Sequence, residues 1–487
     1  MRSIACAAIA TSVVAIVALD AAAQNAPVIS VAQAVSAALV QNDRLVNQRD
    51  TIAQSDLAVR LARNVFQPKI TPNVLGSFGQ TDVNSQTYRL DLSQRFSTGT
   101  EIRAGAGTAT SQIPGLLVRS DGDIRFYNAD TTLTVTQPLL RGFGRNVARR
   151  SLTSAELRRQ DADRLQTLAE QQVALEVVSA YYRVVAQQTF VDVARHSLDR
   201  ARKLRDASEA KLDVGLVSQL DVLRAQQLVA QAEIQLFDAE SGTEDARDQL
   251  AFLMGRDAAA AFEVQRDIPR PDQSPVDSDR AVASALQNRL DLQSRTVDRE
   301  DADHQVSFAR NQLLPQVDVN FALTRRETSD TFARSFGVDG FQFATFFTIA
   351  MPVDRTAQRI EYQNALIDRD RRQREVTTVE RQIVADVRRT VRERDRLLRG
   401  LTAAETSVEV ARKEVEVAEL RYQRGLSNNL DVVAAETSLL MAESRRIQAL
   451  ADSAVAVLRL RAVLGVLNPR SDIAAPSSPL PFVSTQP

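Results

Sequence analysis

The sequence VGLVSQLDV at residues 214–222 returns as RGLSNNLDV at residues 424–432, 210 positions later. Each copy ends a long stretch that is poor in helix breakers: residues 145–214 hold no Gly or Pro, and residues 355–424 hold only Gly400. A Gly after a long helical stretch is a typical helix stop. The sequence therefore predicts two long helical hairpins with their turns at the repeated Gly-Leu pair.

The duplication extends toward the N-terminus. Ala62-Arg63-Asn64 and Pro68 return 247 positions later as Ala309-Arg310-Asn311 and Pro315. Repeats of this length indicate one structural unit used twice. We divide the chain into a signal peptide (1–23), a first repeat (24–255), a linker (256–279), a second repeat (280–465) and a C-terminal tail (466–487).

The two repeats differ in the segment before each long helix. Pro68 and Pro138 are 70 positions apart, whereas 37 positions separate Pro315 from Pro352, so the first repeat carries 33 extra residues. These residues form either a longer external loop or an additional hairpin. We favour the loop.

The long helices carry a coiled-coil pattern. In the second repeat, apolar or small residues are spaced by three and four positions, which is the seam of packed helices: Val408, Ala411, Val415, Ala418 and Tyr422. The corresponding residues 210 positions earlier include two polar side chains: Leu198, Ala201, Arg205, Ser208 and Leu212. We interpret the polar positions as a face that meets water or a partner.

The segments 69–137 and 316–351 alternate between apolar and polar residues. Val317, Val319 and Phe321 face opposite Asp318 and Asn320, for example. This period of two is typical of a lipid-facing, water-lined barrel, although a half-buried strand in a soluble sandwich has it too. The signal peptide and the long helices favour the barrel. So few strands cannot close a barrel, and several chains must contribute.

Composition excludes several function classes. The net charge of −1 gives no basic field for nucleic acid. The only cysteine, Cys6, lies in the apolar signal, so the mature chain has no thiols for disulfides or metal binding. His196 and His304 are too far apart to suggest a metal site or a catalytic triad. We expect no catalytic residues, no metal and no cofactor, and therefore no enzyme.

Over nearly its whole mature length the chain resembles the TolC family of outer-membrane efflux channels. The resemblance rests on the duplicated Ala-Arg-Asn and Pro pairs, on Gln137 to Gly144, on Ala180-Tyr181-Tyr182 and on the two Gly-Leu segments. It implies a homotrimer whose chains share an outer-membrane β-barrel, four strands each, continued by a periplasmic α-helical barrel. The linker (256–279) and the tail resemble the equatorial region of that family, so the resemblance implies an equatorial linker. It also implies an exit duct that serves a periplasmic adaptor (membrane fusion protein) and an inner-membrane pump, for efflux or for type I secretion.

The resemblance also assigns roles to single residues. It implies adaptor docking at the hairpin tips, which are Val214, Gly215, Leu216, Gly425 and Leu426. Asp431 resembles an acidic position that rings the closed periplasmic aperture, and Asp221 and Tyr422 resemble a pair that closes it by a hydrogen bond. A second acidic ring falls on Ala434 and a second arginine latch on Ser427, so neither is expected here. Alternatively, Asp221 and Asp431 only cap the helices that follow the tips.

A periplasmic coiled-coil adaptor or scaffold without a pore is the alternative function. It explains the helical hairpins but leaves the alternating segments without a role.

Overall fold

The structure is a computed structural model that describes residues 27–77, 84–112, 125–257, 262–329, 331–336 and 340–474. The expected signal peptide (1–23) and the last part of the expected C-terminal tail (475–487) lie outside the described residues.

Most of the described chain is helical, in eleven helices: α1 Val31–Gln41, α2 Asp43–Asn64, α3 Arg145–Ala148, α4 Arg150–Asp213, α5 Gln219–Leu253, α6 Ser278–Asn288, α7 Leu290–Gln312, α8 Phe332–Ser335, α9 Thr356–Gln423, α10 Asn429–Val463 and α11 Ser471–Ala474. Within the same ranges there are eight strands: β1 Val28–Ile29, β2 Lys69–Ser77, β3 Asn84–Arg95, β4 Glu101–Gln112, β5 Arg125–Pro138, β6 Glu263–Val264, β7 Gln316–Ser329 and β8 Gln342–Ala350.

The two longest helices, α4 and α9, have 64 and 68 residues. At 1.5 Å per residue they extend about 96 Å and about 102 Å. Gly400 leaves α9 unbroken, but the helix expected from Arg145 is interrupted at Arg149, whose ψ of 5° is not helical. None of the helices in the described ranges is long and apolar enough to cross a membrane.

Each long helix folds back on a shorter one, α4 on α5 and α9 on α10. A shared core joins the two hairpins near their turns, and it contains all five residues of the seam expected in α9. In α4 the core side chain is Leu204, while the neighbouring Arg205 is half-buried. The expected seam position Arg205 is therefore wrong by one residue, because the apolar neighbour on the same helical face packs inward.

A second core lies halfway along the hairpins and fixes the linker. β1 and β6 pair there in parallel, and the hydroxyl group of Tyr181 lies 2.9 Å and 3.0 Å from the carbonyl oxygens of Ile29 and Gln265. The linker itself is held by Arg394 of α9, whose buried guanidinium donates 2.8 Å hydrogen bonds to the carbonyl oxygens of Asp272 and Ser274.

The remaining strands form one antiparallel sheet in the order β2-β3-β4-β5-β7-β8. The first repeat supplies four strands and the second repeat supplies two. The four strands per chain implied by the resemblance, and our preference for an external loop, are both wrong. Most of the surplus residues form the hairpin β3–β4, because Arg95 to Glu101 makes a tight turn between two runs that alternate in polarity.

The sheet has one mainly apolar face and one mainly polar face. Side chains on the apolar face are exposed in the single chain over several strands: Val74, Leu90, Leu92, Phe321, Phe343, Phe347 and Ile349. Both outer strands, β2 and β8, have an edge without a strand partner in the described chain. An apolar sheet face and two open edges are unfavourable in water for a single copy.

Candidate functional site

The two hairpin turns have the same backbone geometry. Gly215 and Gly425 have φ angles of 75° and 72°, in the left-handed region that favours glycine. The amide of each Gly donates a hydrogen bond to the carbonyl oxygen of the residue three positions before it. The amide of the following Leu donates one to the carbonyl oxygen of the residue five positions before it. This pair of bonds is the Schellman motif, which satisfies the last carbonyls of the long helix and reverses the chain.

The turns expose apolar side chains at the far end of the molecule. Val214, Leu216 and Leu426 have 68%, 74% and 67% of their surface exposed. No heavy atom comes within 4 Å of the place that a Cβ would take at Gly215 or Gly425. These two ends, residues 214–218 and 424–428, are called the tips below.

The helices that follow the tips begin with polar caps. Ser218 and Asp221 form a capping box, in which the Asp221 carboxylate accepts a 3.1 Å bond from the Ser218 amide. Asn428 caps α10 by accepting a 3.1 Å bond from the Leu430 amide. Asp221 therefore has the capping geometry of our alternative interpretation, whereas Asp431 is exposed in the first turn of α10.

Tyr422 connects the two hairpins just behind the tips. Its hydroxyl group lies 2.8 Å from Oγ of Ser208, which is fully buried. Lys211 lies over the Tyr422 ring, 3.7 Å from its centroid, and donates a 2.6 Å hydrogen bond to the Tyr422 carbonyl oxygen. The polar side chain Ser208, which the sequence suggested would meet water or a partner, meets Tyr422.

The expected hydrogen bond between Asp221 and Tyr422 is not present in this structure. The Asp221 carboxylate instead accepts a hydrogen bond from the Ser218 hydroxyl group at the start of its own helix, and the Tyr422 hydroxyl group is hydrogen-bonded to Ser208. The backbone of Asp221 nevertheless takes part in a connection between hairpins, because the buried Asn429 side chain donates to its carbonyl oxygen.

An ion pair with a buried carboxylate makes a third connection, between about two and about four helical turns behind the tips. Nε of Arg200 in α4 lies 2.8 Å from both carboxylate oxygens of Glu436 in α10. The Glu436 side chain is only 4% exposed. Burial raises the pKa of Glu436 above its ordinary value, and the hydrogen bond from Arg200 offsets only part of this effect.

The sequence alone did not point to Arg200, Lys211 or Glu436. Arg200 and Lys211 are charged residues beside the seam positions Ala201 and Leu212, and charged residues beside a seam usually face water. Only Ser208 left a signal, as a polar residue in an apolar pattern. Among the described residues no group of His, Asp or Glu side chains is arranged to hold a metal ion.

Comparison with known proteins gives a consistent result. A family model described as outer membrane efflux protein matches residues 101–256 and 281–466. The fusaric acid resistance protein FusA of Burkholderia cepacia is 29% identical over 195 residues, which are 38% of this chain and 35% of that protein. The chain thus aligns with about a third of the length of this relative.

Two further matches cover more of the chain. The outer membrane protein TolC of Vibrio cholerae is 22% identical over 328 residues, 65% of this chain and 73% of that protein. The crystal structure of the Campylobacter jejuni CmeC outer membrane channel superposes with a TM-score of 0.68 at 14% identity, over 91% of this chain and 87% of that chain. At this identity the likeness shows the fold alone.

Proposed function

Because this chain belongs to the outer membrane efflux protein family, we propose that three copies form an exit duct through the outer membrane. The duct receives substrates from a periplasmic adaptor and an inner-membrane pump, for efflux or for type I secretion. It performs no chemistry, and its energy comes from the pump.

One observation supports this proposal most directly: an open sheet with an exposed apolar face continues into helices of about 100 Å. In lipid, backbone groups on open sheet edges must find partners, so a sheet of this kind requires other copies to close it. A periplasmic scaffold without a pore gives the sheet no role.

Membrane fractionation and conductance test the proposal. We expect the mature protein in outer-membrane fractions as a trimer that heat dissociates, and we expect it to conduct ions in planar bilayers. A monomer that is stable in the periplasm without detergent, and that gives no conductance, would support the scaffold instead. Identification of the inner-membrane protein that co-purifies with the trimer distinguishes efflux from type I secretion.

The tips are the proposed contact with the adaptor. Val214, Leu216 and Leu426 project from the two turns, and clustered exposed apolar side chains are typical of protein contacts. The change Leu216→Ser should abolish cross-linking to the adaptor and leave the trimer intact. The matched control is Phe237→Ser, because Phe237 is 72% exposed but lies in the middle of α5.

Asp431 is the proposed acidic position at the periplasmic aperture. It is exposed in the first turn of α10, close behind the tip, and three copies around one axis would favour cations. The change Asp431→Lys should shift the reversal potential of single channels toward anions. Asp238→Lys, an equal charge change on an exposed residue of α5, should leave it where it was. An equal shift in both variants would exclude the aperture role.

We also propose that the contact between Tyr422 and Ser208 holds the tips in the closed arrangement. It joins α9 to α4 within 15 residues of both turns. Opening that moves one hairpin away from the other has to break it.

A further inference from the structure

The hairpin β3–β4 occupies the middle of the sheet. β3 pairs with β2 over nine residues, β3 pairs with β4 over twelve, and β4 pairs with β5 over twelve. Removing this hairpin from the sheet would break two ladders and leave β2 without a partner. The hairpin is therefore part of the wall that the sheet forms.

The two open edges are matched to each other. β2 and β8 both have nine residues, and every residue of β8 is exposed in the single chain. All neighbouring strands are antiparallel and the sheet has six of them, so β2 and β8 run in opposite directions. When copies are arranged head to tail around an axis, β8 of one copy meets β2 of the next as an antiparallel pair. Pro72 costs this seam at most one hydrogen bond.

We infer that the outer-membrane wall of the assembly has 18 strands, six from each of three copies, with β2 of each copy paired to β8 of the next. This inference rests on the proposed trimeric duct. It adds which strands pair between copies and how many strands the wall contains.

The turn of the added hairpin is built into the junction between sheet and helices. Unlike the other strand ends on that side, Arg95 to Glu101 continues into no helix. Instead the amide of Gly144 donates a 3.1 Å bond to the Thr98 carbonyl oxygen, and Thr100 donates a 2.6 Å bond to Gln137. Gly99 has a φ of 97°, and a Cβ there would lie 2.5 Å from the Gly142 carbonyl oxygen. The turn is therefore hydrogen-bonded to, and packed against, the segment that connects β5 with α3.

The polar face of the added strands continues that of the neighbouring strand. Arg89 of β3 extends across β4 and lies 2.8 Å from the carboxylate of Asp130 in β5. It passes over Gly105 and Gly107 of β4, where a Cβ would come within 2.7 Å and 3.2 Å of the Arg89 side chain. The two glycines therefore make room for an ion pair that joins three strands on the water-facing side.

The size of such a wall agrees with that of the helical part. With strands about 4.8 Å apart and tilted by about 40°, 18 strands enclose a ring about 36 Å across, and 12 strands one about 24 Å across. Four helices per chain, α2, α4, α7 and α9, lie next to the sheet, and 12 helices about 9 Å apart make a ring about 34 Å across. Twelve strands match that ring only if they tilt well beyond the usual range. A wall of 18 strands would continue the helical ring at constant width.

Cysteine labelling tests whether β3 and β4 lie in the membrane wall. The mature chain has no cysteine, so each engineered thiol is alone. We expect a charged, membrane-impermeant thiol reagent to label Ser93→Cys in β3 and Arg103→Cys in β4. Leu92→Cys and Ala104→Cys should be protected. The control pair lies in β7, which is part of the wall whether the assembly has 12 or 18 strands. There we expect Thr324→Cys to be labelled and Leu323→Cys to be protected. Equal labelling at Leu92 and Ser93 beside a normal control pair would overturn the inference.

Cross-linking tests the seam. Asn73→Cys in β2 is combined in turn with Ala344→Cys, Phe346→Cys or Thr348→Cys, which lie on the same face of β8. We expect one combination to give oxidised dimers and trimers that reduction dissolves. The absence of cross-links from all three combinations in a protein that sediments as a trimer would overturn the seam. A protein that does not form trimers at all would instead contradict the proposed function, so the two failures are distinguishable.

Discussion

Replacing Tyr422 by Phe should make the channel open more often. Ser208 donates its own hydroxyl hydrogen to the Leu204 carbonyl oxygen at 2.8 Å, so the Tyr422 hydroxyl group is the donor in the bond between the hairpins. The change to Phe removes that donor and little else. The Lys211 ammonium keeps its position over the ring, since Phe also attracts a cation.

The size of the effect follows from the burial of both partners. Tyr422 is 4% exposed and Ser208 is fully buried, so the bond contributes about 1 kcal/mol per chain to the closed arrangement. If the three copies open together, the loss is about 3 kcal/mol, which is roughly a 150-fold shift of the opening equilibrium. The change Ser208→Ala should act in the same direction. In the double variant the effects should not add, because both single changes break the same bond.

Single-channel recording of purified trimers in planar bilayers measures the effect as the open fraction. Tyr181→Phe is the matched control, because it also removes a buried tyrosine hydroxyl that bonds to carbonyl oxygens, but in the core halfway along the hairpins. Both variants should lose similar thermal stability, and only Tyr422→Phe should open more. Equal open fractions in the two variants would refute the role of the contact at the tips.

Three further predictions concern stability, which circular dichroism at 222 nm can follow in this chain without Trp. Gly425→Ala should cost about 1–2 kcal/mol of stability, because the strain is confined to the backbone. Gly255→Ala should cost clearly more, since its Cβ would also lie 2.5 Å from the Gln41 carbonyl oxygen; equal melting temperatures would contradict this. Arg394→Ala should cost about 1–3 kcal/mol and speed proteolysis of the linker, because two part-buried carbonyl oxygens lose their donor. Burial raises the pKa of Glu436, so folding takes up a proton in the window between the ordinary and the raised pKa, and stability should increase as pH falls through that window. Glu436→Gln should lack this dependence in melts over the same pH window.

The duplicated helical hairpins were predictable because their signals are local. Gly215 and Gly425 lie where a left-handed residue must end a helix, and the spacing of Val408 to Tyr422 is the period of a packed helix. The alternating segments were recognisable for the same reason. The number of strands was not predictable, because the presence of 33 extra residues does not by itself distinguish a loop from a hairpin.

The contacts between hairpins were less predictable, because they depend on how two distant helices meet. The resemblance pointed to Tyr422 and paired it with Asp221, whereas in this structure the Tyr422 hydroxyl group lies next to Ser208. Ser208 could be noticed as a polar side chain in an apolar seam, but its partner lies 214 positions away. The pair Arg200 and Glu436 leaves no trace in the sequence pattern, and only the three-dimensional arrangement shows that the carboxylate is buried.

The three polar contacts between the hairpins also fix the position of one hairpin along the other. The seams between them contain many alanines, and such short side chains provide only small knobs to fix the register of one helix pair against the other. A slip by one turn would leave the buried polar groups of Tyr422, Asn429 and Glu436 without their partners on the other hairpin, and each such group is costly to bury unpaired. The contacts thus hold the two hairpins in one register. They bring both hairpins of a chain to the same level, so that in the proposed trimer all six tips would form an even rim.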